Sequence, residues 1–307
     1  MTTQSYHVPV MPEPVLNHWL GDKNGIYIDG TLGAGGHSKM LLEKLSARAI
    51  LFGIDQDDEA HKEARANIGE DERFKPVKGN FGYMETLLGP EYNNRIDGIL
   101  LDLGVSSHQI DEASRGFSFQ NDGPLDMRMG NLQGITASDV VNEYSYQKLR
   151  GIIWQYGEEK QSGRISNAII DARPLSTTLE LRNAIAKVVP SRFLVKSLAR
   201  VFQAIRIEVN RELEVLKQGL EQGTRLLKPN GHFVVLSYHS LEDRLIKNYF
   251  RSGNFDGKLE KDFYGQTIRP LEPINNRVIT ATEAEIQANS RSRSAKLRIA
   301  KKLEVSK

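Results

Sequence analysis

Gly25 to Met40 reads GIYIDGTLGAGGHSKM. An apolar run stops at a carboxylate, Asp29, breaks into glycines at positions 30, 33, 35 and 36, and resumes with helical spacing. A strand in a ligand-binding parallel sheet ends this way. Similar runs rich in Ile, Val and Leu recur at AILFGID (49–55), FKPVKGN (74–80) and IDGILLDLG (96–104), with helical patterns between them. Strands alternating with helices at this spacing predict an α/β fold with a parallel sheet and crossover helices. The next strand, GHFVVLSYH, begins only at Gly231. A crossover needs roughly 10–12 residues, so most of the interval belongs to an inserted unit.

That insert reads as helical. Leu149, Ile152, Ile153 and Tyr156 share one stripe, Ile165, Ala168, Ile169 and Ala172 a second, and Leu181, Ile185, Val188 and Val189 a third. TTLE (177–180) has capping-box spacing, and Pro190 closes the third helix. A long helix then carries Leu198, Phe202, Ile205, Val209, Leu213, Leu216 and Leu220 back to the sheet. Ser240 of SLED caps a helix after the fifth strand, and AKLRIAKKLE (295–304) forms a final strand. The expected domains are 1–110 with 214–307, and the insert 111–213.

With 39% hydrophobic and 26% charged residues the 307-residue chain is an ordinary globular sequence, and its 0 cysteines exclude disulfides, thiolate metal sites and a cysteine nucleophile. No apolar signal core opens it and no run is long enough to span a bilayer, so a cytoplasmic protein without membrane contact is expected. Net charge is only +2, so nucleic-acid binding would need local patches. Two exist. Pro190–Arg211 carries Arg192, Lys196, Arg200, Arg206 and Arg211 against Glu208 alone, and Asn289–Lys302 carries six basic residues and no acid.

Phosphate suits the glycine loop poorly. No lysine follows the last glycine directly, and a dinucleotide fingerprint forced as Gly33-x-Gly35-x-x-Ser38 has serine at its third glycine. Asp29, Asp55 and Asp102 all end strands and converge on the crevice of such a sheet, which disfavours a pyrophosphate. They suit an adenosine ribose with positive charge elsewhere: Asp55 for the ribose hydroxyls, Asp29 and Asp102 for an ammonium and a sulfonium. S-adenosylmethionine has these features, and glycines let the backbone approach it closely.

The stretch DGILLDLGVSSHQIDEASRGFSFQNDGPLDMRM (97–129) makes the likeness specific. With HVPVM (7–11), IDGTLGAGGHS (28–38), FQAIRIEVNREL (202–213), SYHSLEDR (237–244) and RSRSAKLRIA (291–300), it resembles the ribosomal RNA small-subunit methyltransferase H (MraW-like) family over nearly the whole chain. Departures fall at Pro12 and just before Phe202. The resemblance implies a Rossmann-like class I S-adenosylmethionine-dependent methyltransferase sheet with an inserted helical domain. It also implies cytosine-N4 methylation in the decoding region of 16S ribosomal RNA, with the small ribosomal subunit as partner; a homodimer is compatible with it. Carried over by position, it implies cofactor contacts from Gly35, Gly36, His37, Asp55, Phe81, Asp102 and Gln109, and no metal.

For the chemistry, Asp102 is the expected catalytic acceptor for the target amine. Phe117, Phe119 and Tyr238 are candidates to stack on an extruded base, and His239 is a candidate proton acceptor. Two rivals stand beside this reading: a nicotinamide-dependent oxidoreductase, and a non-catalytic ribosome-assembly factor that keeps a methyltransferase fold.

Overall fold

The apolar runs form strands in a computed structural model that describes residues 9–130, 134–275 and 277–304. Its first compact unit comprises Met1–Gly104 and Glu214–Lys307. In it, β1 (Ile26–Asp29), β2 (Ile50–Asp55), β3 (Phe74–Lys78), β4 (Ile96–Asp102) and β5 (Leu227–Ser237) pair in parallel. Two short strands, β6 (Leu271–Pro273) and β7 (Ile279–Thr280), pair antiparallel with β8 (Lys296–Lys302), which is itself antiparallel to β5. The order is β3-β2-β1-β4-β5-β8-β6, with β7 also on β8. This is the α/β, Rossmann-like class expected, its sheet mostly parallel.

Helices α1 (Pro12–Trp19), α2 (Gly36–Leu42), α3 (Asp58–Ile68) and α4 (Met84–Leu88) lie between the early strands or before them. Alternation along β4 explains why both sheet faces are covered. Ile99 and Leu101 enter one buried cluster with Ile28, Ile54, Phe233 and Val235. Leu100 enters the opposite one with Tyr27, Leu51, Val234, Val15 and Trp19. The strand expected from Gly231 begins earlier, at Leu227: residues 228–231 (KPNG) lie inside β5, where the register jumps from Ile96–Leu227 to Gly98–His232 and Asn230 takes φ 65°.

The second unit, Val105–Leu213, has its own core. It holds α5 (Ser107–Asp111), α6 (Ala137–Glu143), α7 (Tyr146–Gln155), α8 (Ser162–Asp171), α9 (Thr178–Ala186) and α10 (Ser191–Asn210). Leu149, Ile152, Ile153, Ile165, Ile169, Leu181 and Ile185 are buried in that core, and Thr177 with Glu180 forms the capping box.

The single long helix expected from Leu198 to Leu220 is two. Arg211 at φ 50 ends α10, its N–H capping the Glu208 and Ile207 carbonyls, and α11 runs Glu212–Leu226. Arg206 holds Glu212 through two hydrogen bonds of 2.8 and 2.9 Å. α12 (Ser240–Ser252) is capped by His239 rather than Ser240, and α13 is Glu283–Ala288. Among the described residues no helix is long and apolar enough to cross a membrane.

Candidate cofactor and active site

Strand order reverses between β1 and β4, and ligands of open α/β sheets bind at the carboxyl ends beside such a reversal. Asp29, Asp55 and Asp102 are the last residues of β1, β2 and β4. Between β1 and α2 the loop turns back on itself: Leu32 N–H donates to the Ile54 carbonyl at 3.0 Å and Gly35 N–H to the Leu32 carbonyl at 2.8 Å. Gly33 and Gly35 have φ of 48° and 74°, where a side chain would be strained. Asn67 on α3 donates to the Ala34 carbonyl at 3.1 Å and ties the loop down.

The three carboxylates are not equivalent. Asp29 is 2% exposed, accepts from Ser38 Oγ at 2.7 Å and from Thr31 N–H at 3.2 Å. It therefore braces the loop from below instead of facing an ammonium, as the strand-end reading expected. Asp55 accepts from Gly33 N–H and from Asp57 N–H, both at 2.9 Å, one on each oxygen. Each oxygen keeps a lone pair for a hydroxyl. Asp102 is more open than Asp29, with a side chain 24% exposed. Its backbone N–H donates to Thr31 Oγ1 at 2.6 Å, so Thr31 links Asp29 to Asp102.

Tyr238, at the end of β5, donates its hydroxyl to Asp102 Oδ1 at 2.7 Å. Burial first, and then the Asp102 charge, push this phenol far above its ordinary value, so it stays a donor at any working pH. The hydroxyl of Tyr238 thus orients Asp102. On the other oxygen, His37 Nε2 stands 3.6 Å from Oδ2, beyond hydrogen-bond reach. His37 is 8% exposed and its Nε2 is a buried polar atom without a hydrogen-bond partner.

Gly36 opens α2. Phe81 follows Asn80 in a short 3-10 turn and lies against Gly219 of α11, where a Cβ would come within 2.6 Å of the ring. The ring is half-buried. His239 is occupied as a cap: its Nδ1 accepts from Glu242 N–H at 3.4 Å, and Nε2 faces the Glu242 carboxylate at 3.1 Å. Nε2 is buried and makes no hydrogen bond among the described residues, while the cap holds the ring at the N-terminus of α12.

The family profile of MraW methylases matches residues 4–303. This chain belongs to the MraW methylase family. Ribosomal RNA small subunit methyltransferase H of Phocaeicola vulgatus is 46% identical over 302 residues, covering 97% of this chain and 98% of its own. Its namesake in Amoebophilus asiaticus is 46% identical over 300 residues, covering 97% and 96%. The Flavobacterium johnsoniae protein of that name is 45% identical over 305 residues, covering 98% and 99%.

In the helical unit of this MraW methylase, Gln109 is 7% exposed. Its Oε1 accepts from Ser106 N–H at 3.0 Å and its Nε2 donates to the Met129 carbonyl at 3.2 Å. Asn210 grips the same loop, accepting from Met129 N–H and donating to the Met127 carbonyl, both at 2.8 Å. Gln109 and Met127–Met129 of the long 97–129 match thus serve as internal scaffolding. Phe119 packs edge-on against Phe202 at 5.5 Å, and Phe117 and Phe119, both partly buried, pack against the helical core. His7 and Val8 of HVPVM lie outside the described residues.

The basic runs of the MraW methylase are partly neutralised. Arg298 and Lys296 share Asp243 at 2.6 and 3.4 Å. Arg200 faces Glu159 at 3.4 Å. Arg192, Lys196, Arg291 and Arg293 are exposed.

Asp29 also sets a pH dependence. Burial pushes its carboxyl up from the ordinary 3.8 to about 6; the Asp102 charge adds to this, and Ser38, His37 and Thr31 partly offset it. A raised folded value means stability fully present below about pH 4 and lost as pH rises through about 6, worth about 3 kcal/mol. Asp29→Asn should abolish that loss. Urea unfolding of the cofactor-free protein at about pH 4 and pH 7 measures it, and parallel pH profiles for wild type and variant would show that the buried carboxyl does not titrate in this window.

Proposed function

We propose that the protein transfers the methyl group of S-adenosylmethionine to the exocyclic amine of a cytidine in the decoding region of small-subunit (16S) ribosomal RNA. Asp102 carries the reading: a carboxylate at the switch point of the sheet, one oxygen held by Tyr238 and the other turned towards an unpartnered buried imidazole. The residues around it fit a cationic cofactor. Asp55 and Asp102 set two carboxylates at the strand ends that face the crevice, a charge that a sulfonium and an ammonium would balance and a pyrophosphate would aggravate. The same imbalance disfavours a nicotinamide-dependent oxidoreductase.

In this reading Asp55 accepts the ribose hydroxyls on its remaining lone pairs, Phe81 flanks the adenine, and Gly35, Gly36 and His37 line the amino-acid end. Gln109 serves by holding the loop that follows β4. The cofactor supplies an electrophilic methyl group on a sulfonium. Asp102 accepts a hydrogen bond from the target amine, whose lone pair is otherwise delocalised into the pyrimidine ring, and keeps it in line with the methyl carbon. As nitrogen gains charge, the carboxylate stabilises it, and the proton leaves to Asp102 or to solvent.

Chemistry on the nitrogen also accords with composition. Methylating a pyrimidine ring carbon calls for a nucleophile that adds to the ring, typically a thiolate, and the chain has 0 cysteines. Ribosomal RNA as substrate is supported by relatives 45–46% identical over almost their whole length. Nucleoside mass spectrometry of small-subunit RNA from cells with and without the gene tests substrate and chemistry together. Loss of an N4-methylated cytidine is expected; an unchanged profile would overturn the reading.

A further inference from the structure

Between α12 and β6 the chain makes a hairpin that nothing in the cofactor crevice requires. Lys261 pairs with Thr267 in an antiparallel bridge, flanked by Asp262 N–H to the Gln266 carbonyl at 2.9 Å and Ile268 N–H to the Glu260 carbonyl at 2.8 Å. Asp262 Oδ1 accepts from Tyr264 N–H and Gln266 N–H, both at 2.9 Å, and Gly265 takes the left-handed turn position at φ 81. The turn is therefore built, not incidental. At its tip stand Phe263 and Tyr264, 98% and 86% exposed, with centroids 5.8 Å apart and planes at 88°. Neither contributes burial to the fold, and perpendicular rings leave open faces in two directions.

The base of the hairpin adjoins basic side chains. The hairpin base is fastened to the end of α12 by Arg251 to the Gly257 carbonyl and by Arg269 to the Arg251 carbonyl, each at 3.3 Å. There Lys247, Arg251 and Arg298 rim a pocket of about 180 Å³ over Phe250 and Ile299. Arg298 is bound to Asp243; Lys247 and Arg251 are exposed. Strand alternation puts Leu259, Lys261, Thr267 and Arg269 on one hairpin face, which has no acid, and Glu260, Asp262, Gln266 and Ile268 on the other. Arg269 also pairs with Glu272 at 3.0 Å.

We propose that this surface binds single-stranded RNA: Phe263 and Tyr264 stack on unpaired bases, and Lys247, Arg251 and Lys261 take neighbouring phosphates. The proposal rests on the RNA-substrate reading above and extends it to a second contact outside the cofactor crevice. Stacking needs only an accessible π-face, which every base supplies. A protein partner would need an apolar surround to seal the rings from water; Leu259 and Ile268 are half-exposed further down the hairpin, but the residues that border the tip are Lys261, Asp262, Gln266 and Thr267.

Fluorescence anisotropy with the full chain tests it, using a labelled single-stranded RNA of about ten nucleotides and the same strand annealed as a duplex. Phe263→Ser with Tyr264→Ser should lower single-strand affinity about thirtyfold or more, with duplex binding little changed. Alanine at both Lys247 and Arg251 should flatten the salt dependence by about 1.4 in log–log slope. S-adenosylmethionine affinity, unchanged in both, controls for folding. Wild-type RNA affinity in the serine variant overturns the proposal, and so does weakened binding to small-subunit particles with unaltered oligonucleotide binding, which would mark a protein contact. A wild-type protein that neither binds RNA nor methylates small-subunit RNA defeats the underlying function; normal methylation with indifferent variants defeats the hairpin surface alone.

Discussion

Asp102→Asn lowers the single-turnover rate of methyl transfer about a hundredfold or more at saturating S-adenosylmethionine, while cofactor affinity changes far less. Asparagine keeps the shape and an oxygen for the Tyr238 hydroxyl, bonded at 2.7 Å in the native protein, but removes the negative charge. Positive charge grows on the amine only as the bond forms, so the loss falls on the transition state, where one preorganised electrostatic contact supplies roughly 3–4 kcal/mol. Tyr238→Phe leaves the charge and frees its orientation, and a smaller loss of about tenfold is expected. Rapid-quench measurement at saturating cofactor separates rate from binding. An undiminished Asp102→Asn rate would move the acceptor elsewhere in the crevice.

Asp55→Ala weakens S-adenosylmethionine binding about a hundredfold. A charge-assisted hydrogen bond contributes about 1.5–3 kcal/mol, and this carboxylate also holds the Gly33 and Asp57 amides. Its removal strips the ribose acceptor and loosens the glycine loop at once. Asp55→Asn retains one acceptor oxygen and should fall between. Calorimetric titration gives both affinities; native-like binding by the alanine variant with the fold intact would place the ribose away from β2.

The parallel strands were legible because a strand buried on both faces reads as a run of apolar residues without polar alternation, as Ile99–Leu101 does. The end of α10 was not. Val209, Leu213 and Leu216 continue the helical spacing across Arg211, and a left-handed arginine leaves no compositional mark. Asp29 was found but misassigned, since strand-end position does not tell whether a carboxylate faces the crevice or the loop beneath. DGT, with Asp29 accepting from Thr31 N–H, is an Asx-turn signal that could have shown it. Tyr238 lies 136 positions from Asp102, a pairing no local pattern encodes. His239 in place of Ser240 as the cap escaped because serine is the commoner capping residue. The 258–269 hairpin mixes charges and aromatics without period and offers only its Asp and Gly as turn markers.

The order of strands also governs how the chain is made. β4 lies between β1 and β5, yet all of Val105–Leu213 is synthesised between the two. At some 5–20 residues per second on the ribosome, the nascent β4 waits several seconds or more with the backbone edge that β5 will pair left open. The helical segment, with a core drawn wholly from residues 125–209, can condense on its own in that interval. Doing so shortens the effective loop that β5 must close, an entropic gain that varies only logarithmically with length. An insertion that looks like an interruption of the sheet thus acts as a folding spacer, and the period before β5 arrives is when the nascent protein is most exposed to edge-to-edge aggregation.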